Sequence, residues 1–217
     1  MRSANDRGAA LLIAITLVLI VVAIAAAVSV TSRTETLIAA SFREGKEMLY
    51  AAEGAIALAV RDLDAAADWN QVLSGAASSF TDGASIGSRS LPGGVTITLC
   101  CGTGSVSDDV QQRAHGGRDW GADTPQWKMF AWGPAADWLP AGRLFTPVYV
   151  AVWVGDDPAD GDGNPVLDAN GILLLHAVAL GVSGGRRAVE AVVQRPAATG
   201  LPPPPGLRIL SWQAVRW

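Results

Sequence analysis

The chain has 217 residues, enough for one ordinary domain plus an appendage. Half of them are hydrophobic, 17% are charged and the net charge is −4, so there is no basic field to attract nucleic acid. Two cysteines are too few for a disulfide scaffold.

The hydrophobic excess sits at the N-terminus. From Gly8 to Ser32 there is no charged residue, and Ala9 to Val30 reads AALLIAITLVLIVVAIAAAVSV, without Pro or Gly. At helical rise this uncharged stretch extends roughly 37 Å, more than the ~30 Å hydrocarbon core of a bilayer. A core helix of this length is rarely apolar on every face. The pattern therefore predicts a transmembrane helix over residues 9–30. A cleaved secretory signal is the rival, and Ala25-Ala26-Ala27 fits its small-residue rule. Against it, the run exceeds the usual signal core of about 7–15 residues, and the helical pattern continues past the alanines. Basic residues do not settle orientation, because Arg2 and Arg7 on one flank face Arg33, Arg43 and Lys46 on the other, interleaved with acids.

The helix is expected to continue over residues 31–66. Leu37, Ile38, Phe42, Leu49, Ala52, Ile56, Val60 and Leu63 follow steps of three and four, one apolar stripe, with Arg43 and Glu47 at i,i+4 on the polar side. The whole rod, roughly 58 residues, would measure about 87 Å. Such a stripe needs cover, from the chain's own C-terminal domain and from neighbouring subunits.

Residues 67–217 read as an exported β-rich domain. Residues 67–127 are weakly patterned and rich in Gly, Ser and Asp, which predicts loops. Val95–Cys100, Lys128–Trp132, Val148–Val154, Ile172–Gly181 and Arg187–Val193 read as strands between Pro, Gly and Asp clusters. Ser183-Gly184-Gly185 suits a hairpin turn, and the broken alternation of Arg187–Val193 suits a strand covered on both faces. Pro202–Pro205 reads as a stiff polyproline spacer, and Leu207–Trp217 as a final strand or strap. The expected class is α+β: a long N-terminal helix, membrane half plus amphipathic half, packed on a mostly antiparallel sheet.

No constellation points to catalysis, and the chain is not expected to be an enzyme or to carry a cofactor. His115 and His176 are the only histidines. His176 lies within ILLLHAVAL and reads as a tucked-in strand residue. Ser183 lacks a nucleophile-elbow context; Ser183-Gly184-Gly185-Arg186-Arg187 lacks the spacing and the Lys of a phosphate loop. The histidines and cysteines have no zinc spacing. Asp160, Asp162, Asn164 and Asp168 match positions 1, 3, 5 and 9 of a calcium loop, with Asp156 and Asp157 as further candidate ligands. However, Pro165 replaces the turn Gly and Gly171 the bidentate Glu, so a solvated acidic turn without metal is the expected state. Cys100 and Cys101 are neighbours whose side chains would point to opposite faces of a strand. A buried apolar role for one of them is favoured over a vicinal or intermolecular disulfide. Among eight tryptophans, Trp120, Trp127 and Trp138 are the candidates for a binding face.

The N-terminal segment Asn5-Asp6-Arg7-Gly8-Ala9-Ala10-Leu11-Leu12-Ile13 resembles the start of type IV prepilins, and Met48-Leu49-Tyr50-Ala51-Ala52-Glu53-Gly54-Ala55 resembles the helix of PilX-type minor pilins. The likeness covers residues 5–64 best. It implies a leader over residues 1–8, a prepilin-peptidase cut between Gly8 and Ala9, and assembly with other minor pilins, a major pilin and a tip adhesin. It also implies a bacterial inner-membrane location with the C-terminal domain outside the cytoplasm, followed by entry into a pilus or pseudopilus fibre. Two departures matter. Ile13 stands where major pilins carry Glu, which implies a special position in the fibre, since a buried acid is normally kept for a partner. Ala9 replaces the usual Phe, which bears on N-methylation. The alternative is a single-pass anchored extracytoplasmic binding domain that never enters a fibre.

Overall fold

The computed structural model describes residues 4–91, 93–115, 124–138, 147–196 and 206–215. Pro202–Pro205, Trp120 and Trp217 lie outside the described residues, as do Met1–Ser3 of the leader and the side chain of His115. Helix α1 runs from Ala4 to Ala65. By its internal contacts the chain forms two compact units, Met1–Glu44 and Gly45–Trp217.

The first unit is helical throughout its described part, and residues 8–43 are all exposed. Among the described residues nothing covers the apolar run, which is 0% buried. Hydroxyls within the helix bond back to carbonyls one turn earlier, as Thr16 does to Leu12 and Ser29 to Ala25, so they present no free donor.

The second unit is built on a five-stranded antiparallel sheet in simple sequence order. Its strands are β3 (Lys128–Pro134), β4 (Tyr149–Asp156), β5 (Ile172–Leu180), β6 (Arg186–Gln194) and β7 (Arg208–Val215). The α+β class follows: the part of α1 from Met48 onward lies on one face of this sheet. Met48, Ala52, Ala55, Ile56, Ala59 and Leu63 are buried against Val150, Val152, Val154, Leu173, Leu175, Ala177, Val189 and Val193. The alanines let the helix approach the pleat closely while Ile56 and Leu63 fill the space beside them. The stripe expected from the sequence is thus rotated slightly: Leu49 and Val60 are half-buried, and Leu37, Ile38 and Phe42 are exposed.

Residues 67–127 are a correction. They hold α2 (Trp69–Leu73), a small hairpin of β1 (Ser88–Ser90) and β2 (Thr96–Thr98), and α3 (Val106–His115). These elements are too short for periodicity to reveal. Helix α2 packs through Trp69, Val72 and Leu73 on the face that α1 covers, and the hairpin and α3 cover the second face of the sheet. Leu91, Ile97, Leu99, Val106 and Val110 pack on Trp132, Tyr149, Ala151, Trp153, Val178 and Leu180. One local signal was readable: Ser105-x-x-Asp108 caps α3, with Ser105 Oγ accepting from the Asp108 amide at 3.1 Å.

The Ser183-Gly184-Gly185 turn joins β5 to β6 as expected, with Gly184 at φ +79°. Strand β6 is covered on one face; on the other Ala188 is buried while Glu190 and Val192 are half-open. The free edge of β3 is occupied by the segment 78–82, whose Phe80 carbonyl accepts from the Trp132 amide at 2.9 Å. Strand β7 is an edge strand, exposed along nearly its whole length, with Ile209, Leu210 and Trp212 on the surface.

The core contact between helix and sheet sets a first prediction. Ile56→Ala should destabilise the domain by about 2–5 kcal/mol. Leu37→Ala, on an exposed turn, should stay within about 0.5 kcal/mol of wild type. Urea unfolding of the detergent-solubilised chain, followed by tryptophan fluorescence, measures both.

Candidate functional site

Strand β4 reads Tyr149-Val150-Ala151-Val152-Trp153-Val154-Gly155-Asp156 and is buried at every position. Side chains alternate along a strand. Val150, Val152 and Val154 therefore face the helix layer, and Asp156 takes the fourth place in that row. Its exposure is 1%. Neither carboxylate oxygen meets a donor in good hydrogen-bond geometry; the neighbouring Asp157 amide is close enough only to favour the charged form slightly.

The loop after β4 folds back over this carboxylate through a chain of Asx turns. Asp157 Oδ1 accepts from the Ala159 amide at 3.1 Å, Asp160 Oδ1 from Asp162 at 3.2 Å, and Asp162 Oδ1 from Asn164 at 2.7 Å. Gly161 and Gly163 make the alternation possible, with φ of +73° and +74°. Asp160 Oδ2 also accepts from Ala169 at 3.3 Å, and Asp168 Oδ1 from Gly171 at 2.7 Å. The Asp168 amide donates to Asn70 Oδ1 of α2 at 2.8 Å, which ties the loop to the domain.

Carboxylate oxygens of Asp156, Asp160 and Asp162 lie within 4.8 Å of one another. The structure thus brings Asp160 and Asp162 together, as the calcium-loop spacing requires. The third carboxylate is Asp156, from the strand, and not Asp168. Burial first, then repulsion from Asp160, pushes the Asp156 carboxyl up to about 7. Burial also raises Asp168, against the amides of Gly171 and Ile172 and the charge of Arg195.

The other candidate residues lie away from this loop. His176 is buried on β5 with Nδ1 3.1 Å from Glu190 Oε1, and Glu190 Oε2 accepts from Gln213 Nε2 at 2.9 Å. Trp127 and Trp153 stand edge-on to its ring at 5.6 and 6.4 Å. Glu190, Gln213 and Trp127 border an open cleft of about 370 Å³ with Leu174 and Val192. Trp127 and Trp138 are both half-buried, the latter against Phe80 with centroids 5.9 Å apart; the exposed indole among the described residues is Trp212. Cys100 and Cys101 form a vicinal disulfide, Cys100 half-buried and Cys101 exposed at φ +125°, so neither is the buried apolar residue expected. Gly8 and Ala9 lie on exposed turns of α1, where a Cβ on Gly8 would meet nothing.

With this geometry in hand, no protein-family model, curated protein or solved structure matches the chain.

The raised Asp156 carboxyl sets a pH dependence. Its folded value lies above the unfolded one, near 3.8. The folded state holds its proton longer, so stability is greatest below about pH 4 for this group and is lost as pH rises towards 7. The groups facing it are Asp157, Asp160, Asp162 and Asp168, with Arg195 the cation acting on Asp168. In the presence of chelator, Asp156→Asn should therefore be more stable than wild type at pH 8. The advantage should shrink by up to about 1.4 kcal/mol per pH unit between pH 7 and 4. Urea midpoints across that range provide the measurement.

Proposed function

We propose that the chain is a single-pass membrane protein whose β-rich domain lies outside the cytoplasm and works by binding, not by catalysis. One observation carries this reading: the uncharged stretch of α1 is long enough to cross a bilayer and is uncovered along its full length. Its side chains are apolar on every face, which suits lipid and not a protein core. The non-catalytic part of the reading is supported by His176, whose imidazole is engaged by Glu190 and two tryptophan edges inside the sheet.

A second reading, a PilX-like minor pilin that primes, caps or decorates a fibre, is favoured by a separate observation. Leu37, Ile38 and Phe42 are 71%, 64% and 67% exposed on turns that follow the membrane-length segment. A simple anchor does not account for the exposure of Leu37 and Ile38. Packing against neighbouring helices does. In this reading prepilin peptidase removes residues 1–8, and Ile13 marks a subunit with no amine to neutralise.

Carbonate extraction of membranes tests the anchor: the protein should stay in the pellet, and its release would overturn the first reading. Mass analysis of the extracted N-terminus tests the second. A start at Ala9 is expected; an intact Met1, or a start near Val28, would remove the pilin reading. If the fibre reading holds, Ile13→Glu should not increase incorporation into sheared fibres, and quantitative mass spectrometry should find the wild type scarce relative to the main subunit.

A further inference from the structure

We propose that Asp156, Asp160 and Asp162 form a binding site for calcium. The proposal concerns the domain alone and stands whether or not α1 enters a fibre.

Three observations converge on it. The carboxylates approach one another within 4.8 Å, close enough for one ion to touch all three. Like charges gathered at that distance favour the binding of a cation or a proton. The second observation is independent of the cluster. Asp156 is 1% exposed, aims into the group from the end of β4, and has no hydrogen-bond partner for either oxygen. A buried carboxylate without donors is costly, and a hard cation is the ligand that satisfies both oxygens at once. The third concerns charge: the sequence places no Lys or Arg between Arg143 and Arg186, so the loop carries no cation of its own.

The chemistry selects calcium. All the donors are carboxylate oxygens, which excludes soft metals. Asp160 and Asp162 sit on a glycine-containing loop, and Asp160 accepts hydrogen bonds that leave its remaining lone pairs free. A loop of this kind suits the variable geometry and 6–8 oxygen ligands of calcium, with water completing the shell. Magnesium instead demands a near-ideal octahedron and usually keeps several of its waters. The strand supplies the rigid ligand and the loop the adaptable ones. Pro165 and Gly171 stand at loop positions where an EF-hand carries its turn Gly and its bidentate Glu, so this is a different arrangement: the buried acid precedes the loop instead of ending it.

The test uses the full chain in detergent, stripped with chelator and then titrated with calcium chloride. At ten times the dissociation constant the melting temperature should rise by roughly 3–6 °C. Magnesium should give a smaller rise. Sodium chloride at the same ionic strength should give none. Asp156→Asn and the exposed Asp162→Asn should each abolish the calcium response, while Asp108→Asn, on α3, should keep it. Because Asp162 is exposed, its variant tests the site even if Asp156→Asn folds poorly. Terbium offers a second readout, since Trp127 lies against Gly155 beside the site: tryptophan excitation should give terbium emission that calcium displaces. No calcium-dependent rise, a rise matched by sodium, or one that survives Asp162→Asn would overturn the proposal.

Discussion

Strand β4 is the constraint on which the domain depends. It is hydrogen-bonded on both sides, to β3 and β5, and buried on both faces. A strand in that position can satisfy its backbone only through its neighbours, and its side chains only through two covering layers. One layer is the C-terminal part of α1 with α2; the other is the β1–β2 hairpin with α3. Gly155 shows how tight the second layer is: a Cβ there would come within 3.3 Å of both Pro125 and Trp127. Trp153 fills the same side, and its Nε1 donates to Ser107 Oγ at 3.0 Å, so even the indole nitrogen is satisfied by an element of the covering layer.

The same burial creates an electrostatically unfavourable spot. Ending a row of valines with Asp156 places a carboxylate where solvent cannot reach it. The following loop brings more acids to that point, not a base. Arg195, the cation that acts on Asp168, has other partners as well. It stacks on Trp69 at 4.3 Å and donates to the Ala66 carbonyl at 2.8 Å, where it closes the C-terminal end of α1. The guanidinium beside Asp168 thus also serves the helix terminus, while neither Asp156 oxygen has a hydrogen-bond partner among the described residues.

Apolar surface is left open in two different ways. On α1 it is continuous around the helix and lacks charge, which is what lipid requires. On β7 it is confined to Ile209, Leu210 and Trp212 along an edge strand, with Ser211 and Gln213 interleaved. An edge of this kind offers backbone groups as well as side chains to whatever approaches it. The other edge, at β3, is already occupied by the segment 78–82.

Helix α1, the strands β3 to β6 and the hairpin turn at Ser183-Gly184-Gly185 were legible because each is written in a local code: an uninterrupted apolar run, alternating or continuous β-formers, a glycine turn. The final strand was legible for the same reason. Of the elements between residues 67 and 127, β2 falls inside the expected Val95–Cys100 strand; the others were not legible, because a three-residue strand and short helices with two or three core residues carry no period of their own and exist only against the sheet. The Asp160–Asp168 pattern showed a loop able to gather oxygens, yet its decisive member was outside the pattern. Asp156 is adjacent to Asp157 in sequence and looks equally solvated. By itself the sequence determined an apolar helix, a β-rich domain and an acidic turn, all set by the order of neighbouring residues. Only the tertiary structure decided that one acid of that turn is sealed beneath a helix, because burial depends on which layer comes to lie across the strand, and that is fixed by residues a hundred positions away.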